Sequence, residues 1–169
     1  MISLPFQRKP LLDGWMISAI VMANSGRPFS LTDGFDQSGL GNIFWNSRPD
    51  AVAGCKSILG NVDRWYDPAC FRLQSVGVPG NLGRNTLTGP RFFTTDLALI
   101  KDIKLRESAT VQFRAEVFNV LNHANFGQPN PDVFVQNGAG GVDVSPTAGQ
   151  ITSTTTAARQ IQFGLKILF

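Results

Sequence analysis

Apolar and polar positions alternate most cleanly over Arg159 to Phe169. Ile161, Phe163, Leu165, Ile167 and Phe169 fall on one side, with Gln160, Gln162, Gly164 and Lys166 on the other. Leu168 is the exception. A period of two marks a strand with one apolar and one polar face. Ser108 to Leu121 repeats it, setting Val111, Phe113, Ala115 and Val117 against Thr110, Gln112, Arg114 and Glu116, until Phe118 breaks the polar row. Phe92 to Ile103 opposes Phe93, Thr95, Leu97 and Leu99 to Thr94, Asp96 and Ala98. Trp15 to Asn24 is a mostly apolar version. The pattern predicts an all-β, antiparallel meander with strands near 14–25, 91–104, 108–121 and 158–169. Ile2–Phe6 is the tail of a fifth.

The connections differ sharply in length. A tight turn around Leu105, Arg106 and Glu107 joins two strands as a hairpin. Two long stretches rich in Gly, Pro, Asn and Asp, about 26–90 and 122–157, separate the others, and structureless loops of that length are uncommon in compact domains. Short turns at one end and long loops at the other is the layout of an outer-membrane barrel. A soluble β-sandwich or adhesin-like module with two recognition loops fits the same period, so periodicity alone leaves both open. In a barrel, Asp96, Arg114, Glu116, Gln160, Gln162 and Lys166 face the lumen and the charges pair across strands. In a sandwich they meet water.

Composition removes other classes. The charged fraction is 16%, against roughly 25% in average soluble domains, and 43% of residues are hydrophobic. A disordered chain needs more charge and less apolar content. No run approaches the ~18 apolar residues of a spanning helix. Net charge is +3, but the 15 cations are scattered, among them Arg8, Lys9, Lys101, Lys104, Arg106, Arg159 and Lys166, without the dense stripe of a nucleic-acid surface. His123 is the only histidine, and there is no GxSxG or HExxH. Gly80–Thr86, GNLGRNT, lacks the GK[ST] ending of a phosphate loop. Asp33 and Asp36 flank Gly34 without the spacing of a calcium loop. The expectation is a non-enzyme without cofactor or metal. Met1–Trp15 carries its charges after a short apolar stub, unlike a secretory signal. That pattern fits a cytoplasmic protein or a chain lacking its natural beginning.

Three stretches together carry a resemblance: GNLGRNTLTGPRFFTTDLALIKDIKL (Gly80–Leu105), FRAEVFNVLNHANFGQPN (Phe113–Asn130) and GQITSTTTAARQIQFGLKILF (Gly149–Phe169). They resemble the carboxy-terminal end of Oar-like TonB-dependent outer-membrane receptors, and Gly14–Leu31 is similar to the strand that precedes this region there. One departure is Pro90–Phe93, PRFF, where the family more often has glycine after the proline. The resemblance implies that residues 1–169 are the last four or five strands of a large barrel of about 22 strands. Too few strands are present to close a barrel alone. The plug, the amino-terminal domain and a signal peptide are absent from this reading, as in a fragmentary reading frame.

It further implies a wall segment of an energised transport channel in a Gram-negative-type outer membrane, with lipid as its surroundings and an unidentified transported ligand. TonB would act only through the missing plug. The final strand, through Phe163, Leu165, Ile167 and Phe169, would be the address read by the barrel-assembly machinery. With the long loops outside the cell, Cys55 and Cys70, the two cysteines of the chain, would lie in an oxidising compartment that favours a disulfide. The alternative is two free thiols.

Overall fold

The computed structural model describes residues 2–3, 13–41, 47–106 and 109–169. In chain order the strands are β1 (Ile2–Ser3), β2 (Trp15–Asn24), β3 (Pro28–Phe29), β4 (Asp50–Ala51), β5 (Phe71–Arg72), β6 (Leu87–Thr88), β7 (Phe92–Arg106), β8 (Ala109–Phe118), β9 (Phe134–Gln136), β10 (Val142–Val144) and β11 (Gln160–Leu168). The described residues contain no α-helix, only a 3-10 turn at Pro68–Cys70. Among the described residues every strand pairing is antiparallel, and none of the sheets closes into a barrel. The chain divides into two compact units.

The first unit comprises Met1–Asn24, Phe92–Asn125 and Thr156–Phe169. It holds a five-stranded sheet in the order β1-β2-β7-β8-β11. Trp15 pairs with Lys101 and Asn24 with Phe92; Leu97 pairs with Val117, and Gln160 with Phe118. Those registers bring Asn24, Phe92, Phe118 and Gln160 to one end of the sheet, so both long insertions leave from that end. The β7–β8 connection lies at the other end, after a bulge between Lys104 and Arg106. Glu107 and Ser108 of the expected turn, Leu4 to Phe6 of the expected fifth strand, and the cations Arg8 and Lys9 lie outside the described residues.

The strand that was expected to reach Leu121 stops at Phe118. Asn119 takes a left-handed φ of 50°, a conformation Asn tolerates better than most residues. Its amide nitrogen donates to the carbonyls of His123 (3.0 Å) and Ala157 (3.1 Å), and its Oδ1 accepts the His123 N–H (3.0 Å). Asn119 side-chain bonds thus shape the turn that follows Phe118, while Val120 N–H still reaches Thr95 O of β7 at 2.8 Å; the strand ends although Val120 and Leu121 suit one by composition.

The second unit, Ser25–Arg91 with Phe126–Thr155, contains the stretches that sequence patterning left as irregular loops. Three two-stranded sheets punctuate them: β3–β6, β4–β5 and β9–β10. Between these short ladders Phe29, Leu31, Tyr66, Cys70, Phe71, Leu82, Leu87, Val133, Phe134 and Ala148 form one buried cluster. Backbone bonds knit distant segments around it. Thr32 forms a parallel bridge with Asp132, Trp65 N–H donates to Gly149 O (2.8 Å), and Ile151 N–H donates to Val62 O (2.9 Å). Gly26 runs so close to the neighbouring chain that a Cβ there would lie 1.8 Å from Gly89 O.

Candidate functional site

Alternation along paired strands sorts the five-stranded sheet into two faces. The cross-strand rows Ala19–Leu97–Val117–Ile161 and Ile17–Leu99–Ala115–Phe163 share one face, as does the row through Ile103, Val111 and Ile167. Its large apolar groups stand in the open: Leu165 is 71% exposed, Phe163 69%, Ile161 61% and Val21 60%. Phe113 and Phe163 stack across the β8–β11 pair at 6.1 Å. Contiguous exposure of this kind is foreign to a soluble monomer and marks a surface covered by lipid or protein.

The other face collects Asp96, Arg114, Glu116, Gln160, Gln162 and Lys166. Gln162 stands opposite Glu116, and Lys166 opposite Gln112. Cross-strand charge pairing was expected here, but the ion pair found among the described residues runs along β8, with Arg114 Nη2 3.1 Å from Glu116 Oε1. The register explains it: Arg114 sits opposite Ile100 and Gly164, which offer no carboxylate. Asp96 instead accepts the Asn119 N–H at 2.8 Å. Asp102 accepts from Gln112 across the β7–β8 ladder, also at 2.8 Å. The face is not wholly polar, since β2 contributes Met16, Ile20 and Met22 to it.

Lys101 falls on the apolar face, opposite Trp15 and Phe113. It is buried; its ammonium lies 5.1 Å from the centre of the Trp15 ring and donates to the carbonyl of Asp13. A cation over an aromatic face with a carbonyl acceptor is tolerated where a bare charge is not. The alternating stretch Phe92–Ile103 made no use of this lysine. The signal that would have found it is its place in the apolar row two residues after Leu99.

Of the residues expected to carry an assembly signal, Phe163, Leu165 and Ile167 lie in the apolar row of β11, and Phe169 follows that strand fully exposed. Cys55 and Cys70 are joined by a disulfide with Cα atoms 5.4 Å apart. His123 is held through its backbone by Asn119, and its ring meets Phe93 edge-on at 6.3 Å.

The Gly-rich GNLGRNT segment is a stitched turn. Asn81 N–H donates to Asp50 Oδ1 (2.7 Å) while Asn81 Oδ1 accepts Ala51 N–H (2.8 Å), and Asn85 N–H donates to Ser30 Oγ (2.8 Å).

Titratable groups in the second unit divide by burial. Asp36 is held below the ordinary carboxylate range, chiefly by the Ser38 hydroxyl, with Gly41 N–H and Ser47 also donating. Asp33 is fully buried, and loss of hydration pushes its carboxyl up to about 6 against the opposing bond from Gln74. Tyr66 is also fully buried. Desolvation holds its phenol far above the usual range, and the hydroxyl donates to Asn130 O at 2.9 Å.

These features amount to a strand sheet with an exposed apolar face and a mixed polar face, plus a disulfide-linked unit built from its two insertions. A family model described as an outer membrane beta barrel domain matches residues 3–162. No curated protein and no solved structure matches the chain.

Proposed function

The chain belongs to the outer membrane beta barrel domain family, and from that premise we propose that it is the terminal wall segment of a TonB-dependent, Oar-like receptor in an energised transport channel. The barrel-wall role itself follows from the family. The observation that carries the rest is the junction of two features in one sheet. An exposed apolar row on β2, β7, β8 and β11 suits contact with lipid, and two long insertions depart from the same sheet end. Large extracellular loops over short periplasmic turns is the plan of such transporters. In this reading Ile161, Phe163, Leu165 and Ile167 face lipid, while Asp96, Arg114, Glu116, Gln160, Gln162 and Lys166 face the lumen. Lys101 and Trp15 form an interfacial anchor near the periplasmic rim, where such pairs settle. The transported ligand has no signature in the sequence.

The test uses the full-length receptor encoded by the gene. Purified in detergent, it should capture the periplasmic domain of TonB, and in intact cells a membrane-impermeant thiol reagent should label Val76→Cys from outside. Absence of TonB capture would assign the wall to a TonB-independent barrel. Labelling of Val76→Cys only after the cells are opened would reverse the sidedness.

A further inference from the structure

Asp33 and Gln74 form a buried pair that the barrel-wall function does not use. Gln74 Nε2 donates to Asp33 Oδ2 at 2.6 Å. The two remaining oxygens, Asp33 Oδ1 and Gln74 Oε1, are buried without a hydrogen-bond partner among the described residues. Both are acceptors as long as the carboxyl is ionised, and an acceptor buried without a donor is costly. Turning the Gln74 amide over does not help, because its oxygen would then meet Asp33 Oδ2. A protonated carboxyl becomes a donor, so one proton shared between Asp33 Oδ1 and Gln74 Oε1, beside the Nε2–Oδ2 bond, would satisfy both orphans at once.

We propose that in acid Asp33 is protonated in this fold and donates Oδ1–H to Gln74 Oε1, closing a two-bond acid–amide latch in the insertion unit that opens as pH rises to neutral. The latch ties residues 31–41 to residues 72–78. The same two segments are also joined by Gly77 N–H to Gln37 O (3.0 Å) and Gln37 Nε2 to Gln74 O (3.3 Å).

The charged groups around it favour the neutral acid. Asp50 at the start of β4 and Asp132 before β9 both oppose a negative charge on Asp33. Asp132 accepts the Thr32 hydroxyl; Asp50 accepts Asn81 N–H and stands opposite Arg72 in its ladder. Asp36, further along the segment, is held ionised by its own donors. Arg48, which follows Ser47, donates Nε to Leu82 O. Desolvation leads these effects and places Asp33 at about 6, above the ordinary value of 3.8. With the folded value raised, stabilisation by the latch is complete below about 3.8 and is lost as pH rises through about 6. Ionisation takes the proton to solvent and leaves two carboxylate oxygens and an amide oxygen with one donor pair between them. Because it rests on the insertion unit alone, the latch is independent of TonB coupling.

The experiment is carbon NMR titration of aspartate-labelled full chain in detergent micelles. The Asp33 signal is assigned by its loss in Asp33→Asn, and limited proteolysis of residues 31–41 and 72–78 is followed in parallel. Asp33 should titrate near 6 in the unsubstituted chain. Cleavage there should accelerate by about tenfold or more from acid to neutral pH. Asp33→Asn carries a permanent donor and acceptor in the same places, so its cleavage should stay slow at both ends of the range. A midpoint in the ordinary carboxylate range overturns the proposal, and that reading needs no functional variant. Faster cleavage of Asp33→Asn than of the unsubstituted chain in acid also overturns it. So does protection of the unsubstituted chain by added calcium at neutral pH, which would assign the two oxygens to a cation.

Discussion

Tyr66 is the only tyrosine of the chain, and its replacement separates the value of the buried ring from that of its hydroxyl. The ring is fully buried, edge-on to Phe71 at 5.9 Å and tilted against Phe29 at 6.4 Å. Gly149, in a left-handed conformation, backs onto it; a Cβ there would meet Tyr66 N at 3.1 Å and its Cδ1 at 3.2 Å. Tyr66→Phe keeps all of this and loses one hydrogen bond to Asn130 O. That carbonyl still accepts Gly149 N–H at 3.1 Å, so no acceptor is orphaned and the cost should be about 0.5–1.5 kcal/mol. Tyr66→Ala also removes the ring from the centre of the cluster, adding the ~3–5 kcal/mol typical of large aromatic truncations.

Domains hold only about 5–15 kcal/mol in total, so the alanine variant should open the insertion unit while the strand sheet stays paired. The assay is thermal unfolding in detergent micelles with limited proteolysis of residues 25–91. Tyrosinate absorbance adds a direct reading, because no other tyrosine contributes. The phenol value is raised by burial, so the folded unit should resist ionisation well past the ordinary range near 10 and lose stability as pH climbs above it. Equal losses for Tyr66→Phe and Tyr66→Ala, or ordinary titration of Tyr66 in the folded chain, would refute this account of the core.

Three further outcomes are expected. Replacing Cys55 and Cys70 by serine should cost about 3 kcal/mol, the loop-closure value for a loop of this size, read as faster proteolysis between the two positions. Leu165→Arg in lipid should cost about 2–4 kcal/mol if the site lies near the midplane, and Gln162→Arg distinctly less; equal tolerance would contradict the two-faced sheet. Gly26→Ala should destabilise the insertion unit by about 1–3 kcal/mol, because the new methyl must displace the Gly89 carbonyl. An unchanged unfolding midpoint would show that the approach relaxes freely.

The strands of the sheet were legible because period-two alternation is a local property, repeated over nine to fifteen residues in β11 and β7. The core was not. Leu31, Tyr66, Leu87 and Val133 have neighbouring residues in sequence that show no period, and each joins the cluster from a different turn. Two-residue strands such as β3 and β6 leave no periodic trace. The sorting of Asp96, Arg114, Glu116 and Lys166 to one face was readable from spacing. Their partners were not, since pairing depends on register between strands, and register set Arg114 against Ile100 and Gly164. The end of β8 was missed because the strand-like pair Val120–Leu121 outweighed Asn119, whose side-chain bonds are visible only once His123 and Ala157 are in place.

The Thr32–Asp132 bridge, spanning one hundred residues, sets an order of events for a chain delivered amino end first. The β7–β8 hairpin joins strands adjacent in sequence and can form as soon as it emerges, since local contacts close quickly. The Cys55–Cys70 loop, fifteen residues apart, can close earlier still. Phe29, Leu31, Tyr66 and Phe71, however, must wait for Val133, Phe134 and Ala148, which arrive only after both hairpin strands. During that interval the apolar half of a future core, within residues 25–91, stays unshielded and open to wrong pairings.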